Sequence, residues 1–435
     1  MSDALREKRF TIYTLGCKVN QYESDSMEDI LKNNGAFSVP SDEKADIVII
    51  NTCAVTGMAE KKSRQIIHRM KKLNPDSVCV VCGCYVQSGK GELEKDETID
   101  IIVSNNRKKD IARILEEYYA KNAVSDNYID INKTNEYESM VLYKPTEHTR
   151  AYVKVQDGCN NFCSYCIIPY VRGRIRSKEL KDVFAELSGL ADNGIKEVVI
   201  TGINLSSYKD EEGNGLTELL LAAAKIEGIV RIRMGSLEPR VITRDFLEAI
   251  SKEKKICPHF HLSLQSACNE TLKRMNRKYS IEEYMERCDL IREYYDNPAI
   301  TTDIIVGFPG ETDDEFKTTY NNLEKLNLYE MHIFKYSKRK GTVACDMENQ
   351  IPEEIKNERS DRLLEMTAKH KKAFEDKFKG SSVTILAEEY ERKQDKGGKD
   401  SFIIKGHTER YLYISKEFDE DFCKSHINEL VEVDF

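Results

Sequence analysis

The sequence predicts an α/β protein in three parts. These are an N-terminal three-layer α/β unit with a mostly parallel sheet (1–120), a central partial (β/α)6 barrel with a trailing helix (148–378), and a small all-β barrel (379–435). Three observations predict it. Apolar strand-like runs alternate with amphipathic helical stretches over most of the chain, the pattern of parallel sheets covered by helices. Six such strand–helix units follow one another in the middle, enough for an open barrel with right-handed crossovers. After residue 379 the pattern changes to short alternating strands with polar turns. Residues 121–147 are polar and irregular and read as a linker.

Length and composition fit this division. A chain of 435 residues is too long for one ordinary domain. With 40% hydrophobic and 32% charged residues it has the balance of a globular protein. No apolar run of about 18 residues is present, so no membrane span is expected. The N-terminus, MSDALREKRF, lacks the apolar core of a signal peptide. Thirteen cysteines in such a chain point to metal or redox chemistry in a reducing cytoplasm, not to disulfides. The net charge of −9 argues against general nucleic-acid binding, although two basic runs stand out. Residues 58–72 carry six Lys/Arg against one Glu, and 172–178 carry four with no acid.

In the N-terminal third, RFTIYTL (9–15), DIVIIN (46–51), SVCVVCG (77–83) and IDIIVS (99–104) read as strands. Helical stretches lie near 21–32, 58–73 and 108–119, with Thr56 a candidate N-cap. Cys17, Cys53 and Cys84 each fall one or two residues beyond a strand. In a parallel sheet those ends converge on one edge, where ligands bind. Three cysteines so placed suit a metal cluster. Cys79 and Cys82 read as packing residues, although spacing alone leaves an exchange between Cys82 and Cys84 open.

The central unit begins with AYVKVQ (151–156), a strand followed by DGCNNFCSYC. Cys159, Cys163 and Cys166 have the spacing C-x3-C-x2-C. Structural zinc takes four protein ligands, and a four-iron cluster is commonly held by four thiolates. A cluster held by three keeps one iron open to a substrate. Further strands are expected at 196–201, 230–236, 259–265, 299–307 and 329–337. The helices between them fall near 178–193, 216–226, 243–253, 280–295 and 312–327. Loops at the carboxyl ends of these strands bring Gly202, Asn204, Ser236, Ser263 and Gln265 towards one mouth as candidate cofactor contacts. His259 and His261 alternate on one strand and receive no role. Cys257, Cys268, Cys288, Cys345 and Cys423 are scattered and read as structural. The tail continues as an amphipathic helix (351–378) and strands at 382–391, 400–408, 410–416 and 429–435.

The cysteine loop, with the aromatic Tyr165 before its third cysteine, resembles the signature of the radical S-adenosylmethionine (SAM) enzymes. TLGCKVNQYES, INTCAVT and VCGCYVQ are similar to the N-terminal domain of the methylthiotransferases. TGINLSSY, RIRMGSLEP, HFHLSLQSACNETLKRMNRKY, TTDIIVGFPGET and HIFKYSKRKGT resemble the tRNA methylthiotransferases that act on threonylcarbamoyladenosine. The resemblance implies two [4Fe-4S] clusters, one on Cys159, Cys163 and Cys166 and an auxiliary one on Cys17, Cys53 and Cys84. It implies SAM contacts at Tyr165, Gly202, Asn204, Ser236, Gln265 and Asp303, and RNA contacts at Arg172, Arg174 and Arg176. It further implies a tRNA anticodon loop as substrate, an electron donor such as flavodoxin or ferredoxin, and a C-terminal RNA-binding TRAM module. In the implied reaction, a 5′-deoxyadenosyl radical takes hydrogen from C2 of the adenine beside the anticodon. The auxiliary cluster presents a methylated sulfur. A sister activity on isopentenyladenosine or a ribosomal protein, and a non-enzymatic electron carrier, stand as alternatives.

Overall fold

The computed structural model describes residues 3–121, 128–143, 149–394 and 400–435. Its first unit runs β1 (Arg9–Thr14), α1 (Lys18–Asn33), β2 (Phe37–Ser38), β3 (Ile47–Thr52), α2 (Gly57–Leu73), β4 (Val78–Gly83), α3 (Cys84–Leu93), β5 (Ile101–Ile102) and α4 (Ile111–Lys121). All five strands are parallel, in the order β2-β1-β3-β4-β5. β3 and β4 are buried at every residue, which is why they read as continuous apolar runs. Thr56 caps α2 by accepting from Ala59 N at 3.1 Å, as expected. Strand order reverses between β1 and β3, and a crevice opens there beyond their carboxyl ends. Leu15, Gly16 and Cys17 leave β1 on one side of it, and Cys53 leaves β3 on the other.

The second unit runs β6 (Arg150–Asp157), α5 (Ile168–Val171), β7 (Arg176–Ser177), α6 (Leu180–Asp192), β8 (Glu197–Gly202), α7 (Leu216–Ala224), β9 (Arg231–Met234) and α8 (Arg244–Ile250). It continues through β10 (His259–His261), α9 (Asn269–Arg274), α10 (Ile281–Tyr294), β11 (Ala299–Val306), α11 (Asp313–Leu326) and β12 (Glu330–Lys335). β6, β8 and β9 are parallel neighbours, as are β10, β11 and β12. Single parallel bridges, Ile232–Ile256 and Leu237–Leu262, join the two groups. The six expected strands thus form one open parallel arc, with β7 antiparallel on the β6 edge. The run expected to be strand over 259–265 keeps ladder pairing only to His261, and Gln265 beyond it takes a left-handed φ of 75°. α1 of the first unit lies against β6 and β8.

α12 (Glu353–Glu375) packs on β12, where Met331 N donates to Thr367 Oγ1 at 2.8 Å. The last unit holds β13 (Ser382–Gln394), β14 (Asp400–Thr408), β15 (Tyr413–Phe418), α13 (Glu420–Ser425) and β16 (Leu430–Asp434). Its strands form a curled antiparallel sheet in the order β15-β14-β13-β16, bulged between Ala387 and Glu389, in the manner of a TRAM half-barrel. Ile385, Ala387, Ile404, Ile414, Val431 and Val433 supply its core. This sheet floors the barrel. Arg231 donates to the carbonyls of His407 and Thr384 at 2.8 and 2.7 Å, and Arg233 to those of Glu409 and Thr408 at 2.9 and 3.1 Å. Tyr411, in the β14–β15 turn, stacks on His259 with ring centroids 5.2 Å apart and lies 4.8 Å from the Arg233 guanidinium.

Two buried features join the first unit to the barrel. The first is an ionic hub around Glu23 of α1, which pairs with Lys108 (2.9 Å), Lys154 of β6 (3.0 Å) and Arg172 (2.8 Å). Arg172 also pairs with Asp157 at 3.1 Å. The second is the described part of the expected linker, which is packed rather than loose. Met140 and Leu142 are buried, and the Met140 carbonyl accepts from Tyr22 Oη (2.6 Å) and Lys178 Nζ (2.9 Å). The remainder of that stretch, 122–127 and 144–147, lies outside the described residues. Among the described residues, no helix is long and apolar enough to cross a membrane.

Candidate functional site

All thirteen cysteines are free. Two sets of three stand out by their mutual placement. In the first, Cys17 caps the start of α1, Cys53 follows β3, and Cys84 opens α3. Gly16 has φ 110°, and a Cβ there would come within 3.2 Å of Cys53 Sγ, so the β1 loop passes directly over that thiol. Asn20 ties the loops together, donating to the carbonyls of Leu15 and Thr52 at 2.7 and 3.0 Å. Burial pushes the Cys53 thiol up to about 11, and the neighbouring Cys84 and Cys17 add to the rise. Burial also raises the Cys84 thiol, against the positive charge of Arg172. Thiols crowded in this way lose their protons most readily to a metal. The amino ends of α1 and α3 and the Arg172 charge favour an anionic cluster there. Cys82 instead faces the core among Ile49 and Val80, its thiol pushed up to about 12 by burial. Cys79 is likewise fully buried.

The second set lies in the loop after β6. Gly158 has φ 71°, and a Cβ there would meet the Arg174 carbonyl at 1.9 Å, so only glycine permits this turn. Phe162 also takes a left-handed φ, 50°. Asn161 N and Asn204 Nδ2 reach Cys159 Sγ at 3.5 and 4.0 Å. Arg277 Nη1 donates to Cys163 Sγ at 3.3 Å. Burial, then the charge of Cys163, pushes the Cys166 thiol up to about 12. Three thiols gathered in one short loop, each beside an N–H donor or another thiol, fit an iron–sulfur cluster with one open iron. Thiolates round such a cluster each hold a different iron and stand farther apart than the ligands of a single ion.

The remaining expected cofactor residues fall into four groups. Gly202 and Asn204 face the cysteine loop through Gln156. A Cβ on Gly202 would meet Gln156 Cβ at 2.9 Å, and Gln156 Oε1 accepts from Asn204 N at 2.7 Å while its Nε2 donates to the Gly158 carbonyl at 2.7 Å. Ser236 is exposed at the end of β9. Gln265 N donates to the Asp303 carbonyl at 2.8 Å, and the Asp303 carboxylate accepts from His261 Nε2 at 3.3 Å. Tyr165 turns away from the loop into a small apolar cluster with Phe308 and Tyr336.

The arginines need correction. Arg172 and Arg176 are 0% and 5% exposed. Arg172 is held by Glu23, Asp157 and Asn20, and Arg176 donates to the Arg172 carbonyl at 2.6 Å. Neither presents its guanidinium to solvent or to an RNA phosphate, because buried carboxylates pair with both. Arg174 alone is half-exposed, its guanidinium 4.6 Å from the Phe162 ring.

Three residues that the sequence did not single out organise the site. Gln156 links the cysteine loop to the β8 loop. Glu238 accepts from Asn161 Nδ2 at 2.6 Å and pairs with Arg277 at 3.5 Å, and Arg277 touches Cys163. Only proximity to the cysteines in space marks them, and spacing along the chain carries none of it. An apolar layer connects the segment after the second set to the first set. Ile167 and Val171, just after Cys166, pack in one apolar cluster with Cys53 and Cys84, and Arg172 follows them. Around this layer Val55, Met58, Tyr170 and Val343 are exposed, beside Lys338 and Lys340.

Residues 153–323 match the radical SAM superfamily, and residues 9–104 match an uncharacterized protein family, UPF0004. The threonylcarbamoyladenosine tRNA methylthiotransferase MtaB of Bacillus subtilis is 36% identical over 411 residues, covering 94% of this chain and 90% of its own. Its Aquifex aeolicus counterpart is 39% identical, covering 87% and 92%. A tRNA-2-methylthio-N(6)-dimethylallyladenosine synthase of Clostridium tetani is 38% identical, covering 91% and 88%. Among solved structures, the radical SAM methyltransferase TsrM of Kitasatospora setae superposes with a TM-score of 0.56 at 15% identity, over 78% of this chain and 77% of that one. At that identity the likeness is one of fold.

Proposed function

Because the chain belongs to the radical SAM methylthiotransferase family, we propose that it adds a methylthio group to C2 of N6-threonylcarbamoyladenosine beside the tRNA anticodon. The observation that supports this reading is the packing of Ile167 and Val171, which follow Cys166, in one apolar cluster with Cys53 and Cys84. When bound, clusters on Cys159, Cys163 and Cys166 and on Cys17, Cys53 and Cys84 would supply SAM cleavage and the sulfur, respectively. An aromatic C–H has no acidic proton, so side-chain acid–base chemistry does not suffice.

The chain's own residues bind, orient and exclude water. Gln156 and Glu238 fix the cysteine loop against the β8 and β9 loops, and Arg277 offers an N–H to Cys163. Gly202, Asn204, Ser236, Gln265 and Asp303 remain as candidate SAM contacts on that side. Exposed Val55, Met58 and Val343 with Lys338, Lys340 and Arg174 give the RNA an apolar and basic landing rim. The electron would come from a flavodoxin- or ferredoxin-type donor in the cytoplasm. Identity to relatives of both substrate classes, 36–39% and 38%, leaves the choice of nucleoside to the lumen chemistry and to experiment.

In cells lacking the protein, mass spectrometry of tRNA nucleosides is expected to show N6-threonylcarbamoyladenosine accumulating as its 2-methylthio form disappears. Loss of the methylthio form of dimethylallyladenosine instead would transfer the activity to that nucleoside. Two variants of the purified protein test the division of labour. Cys163→Ala should abolish 5′-deoxyadenosine release, whereas Cys53→Ala should keep SAM cleavage but yield no methylthio product. Methylthiolation by the Cys53 variant would sink the two-cluster scheme.

A further inference from the structure

We propose that Lys18 and His332, with His261 stacked beside the latter, form an anion-binding subsite within the barrel lumen, and that it takes the carboxylate of the threonylcarbamoyl group. This rests on the substrate reading above. Lys18 begins α1, the helix packed on β6 and β8, and its side chain lies among charged groups of the barrel interior. Its charged neighbours there are Arg150, Glu197, Arg233 and Asp303, contributed by four different barrel strands. The lumen arginines are engaged. Arg233 and Arg231 hold Glu197 and the carbonyls of the floor, and Arg150 is paired with Glu197 and Glu388. Among the described residues Lys18 makes no hydrogen bond or ion pair, and its ammonium is the lumen cation left to a ligand.

The imidazoles stand on the opposite wall. His261 pairs in register with Thr301, and Asp303 with His332, so the two imidazoles stand two residues apart in register and bracket one short stretch of β11. The two rings are stacked with centroids 5.8 Å apart. His261 is held at both nitrogens, by Thr301 Oγ1 at 3.0 Å and Asp303 at 3.3 Å, whereas His332 is exposed to the lumen and unpartnered among the described residues. This stretch lies between the floor at His259 and Tyr411 and the rim at Gln265. An adenine engaged at the rim would direct its N6 substituent downwards onto it.

The two nucleosides of the related enzymes differ most in that substituent. Threonylcarbamoyl ends in a carboxylate and a hydroxyl, and dimethylallyl is wholly apolar. A lumen offering an unpaired ammonium, imidazoles, a hydroxyl and a carboxylate matches the first. Covering those groups with a prenyl chain would leave them without partners. The ligand atoms of His261, Asp303 and His332 lie within 4.8 Å of one another, so a divalent cation is the rival occupant. The facing Lys18 charge disfavours a cation and favours an anion.

The test uses the reconstituted protein and three anticodon stem-loop RNAs. They carry N6-threonylcarbamoyladenosine, its carboxamide, or dimethylallyladenosine. A charge-assisted contact predicts that the wild type prefers carboxylate over carboxamide by roughly 10- to 100-fold in kcat/KM. Lys18→Gln should bring that ratio close to one, and His332→Gln, remote from the cysteines, should lower it several-fold. Iron per chain, measured alongside, separates loss of recognition from loss of a cluster. A wild type without preference, or variants that slow both RNAs equally, would overturn the subsite. So would a stoichiometric non-iron metal that His332→Gln removes. A wild type active only on dimethylallyladenosine would reject the substrate reading itself, before any variant is compared.

Discussion

Arg277 illustrates how one side chain carries more of the chemistry than its place in the sequence discloses. It gives an N–H to Cys163 Sγ, pairs with Glu238 and stacks at 4.9 Å on the Tyr279 ring, so its position is determined from three directions. A charged donor on a cluster thiolate stabilises the more negative, reduced state. Arg277→Leu should therefore lower the reduction potential of that cluster, and Arg277→Lys should recover part of the loss. Potentiometric titration followed by electron paramagnetic resonance reads this directly, and an unchanged midpoint in the leucine variant would refute it. The six candidate cysteines could be singled out in the sequence because each sits at a strand end or in one short loop, where local pattern suffices. Arg277, Gln156 and Lys18 were not, because their roles depend on residues 48 to more than 100 positions away. Arg172 misled for the same reason: a basic run beside a cysteine loop reads as a ligand contact until Glu23 and Asp157 are seen beside it.

At the scale of elements, α1 does the most. Its amino end carries Cys17 and Lys18, and one turn further Glu23 faces β6 and Arg172. Burial opposes ionisation of Glu23, but Arg172, Lys108 and Lys154 outweigh it and hold the carboxyl well below the usual carboxylate range. Removing one partner of a buried network leaves charges uncompensated, so Glu23→Gln should cost about 3–5 kcal/mol in urea unfolding. The sign with pH follows from the depressed value. Glu23 stabilises fully above its unfolded pKa of about 4.3 and loses that contribution as pH falls through the lower folded value. The gap in midpoint between wild type and variant should close as pH is taken from about 5 towards 3, and a gap that widens would contradict the assignment. Other elements show where sequence patterning falls short. β3 and β4 were plain because both faces are buried. α3 was not foreseen, because Gly89 breaks its helical geometry and the apolar run before it belongs to β4. The described part of 121–147 read as linker because its anchors are a few buried residues and backbone carbonyls, which composition does not register.

For the whole molecule, the C-terminal sheet is part of the barrel's construction. Tyr411, at φ 67° in its turn, is gripped by His259, His407, Arg150 and Arg233. Tyr411→Ala removes a packed ring and its contacts with both cations, an expected loss of about 3 kcal/mol. It should also hasten release of residues 379–435 in limited proteolysis; unaltered cleavage kinetics would show that the floor is held by the Arg231 and Arg233 contacts alone. The Glu23 hub sets a different constraint on the molecule's history. Glu23 and Lys108 belong to the N-terminal unit, and Lys154, Asp157 and Arg172 to the barrel. A recombination event that exchanged either unit for a distant homologue would strand an unbalanced charge in a dry interface. The two units are therefore bound to be inherited as a matched pair, and chimaeras joined between them should survive only when the donor brings the same five residues.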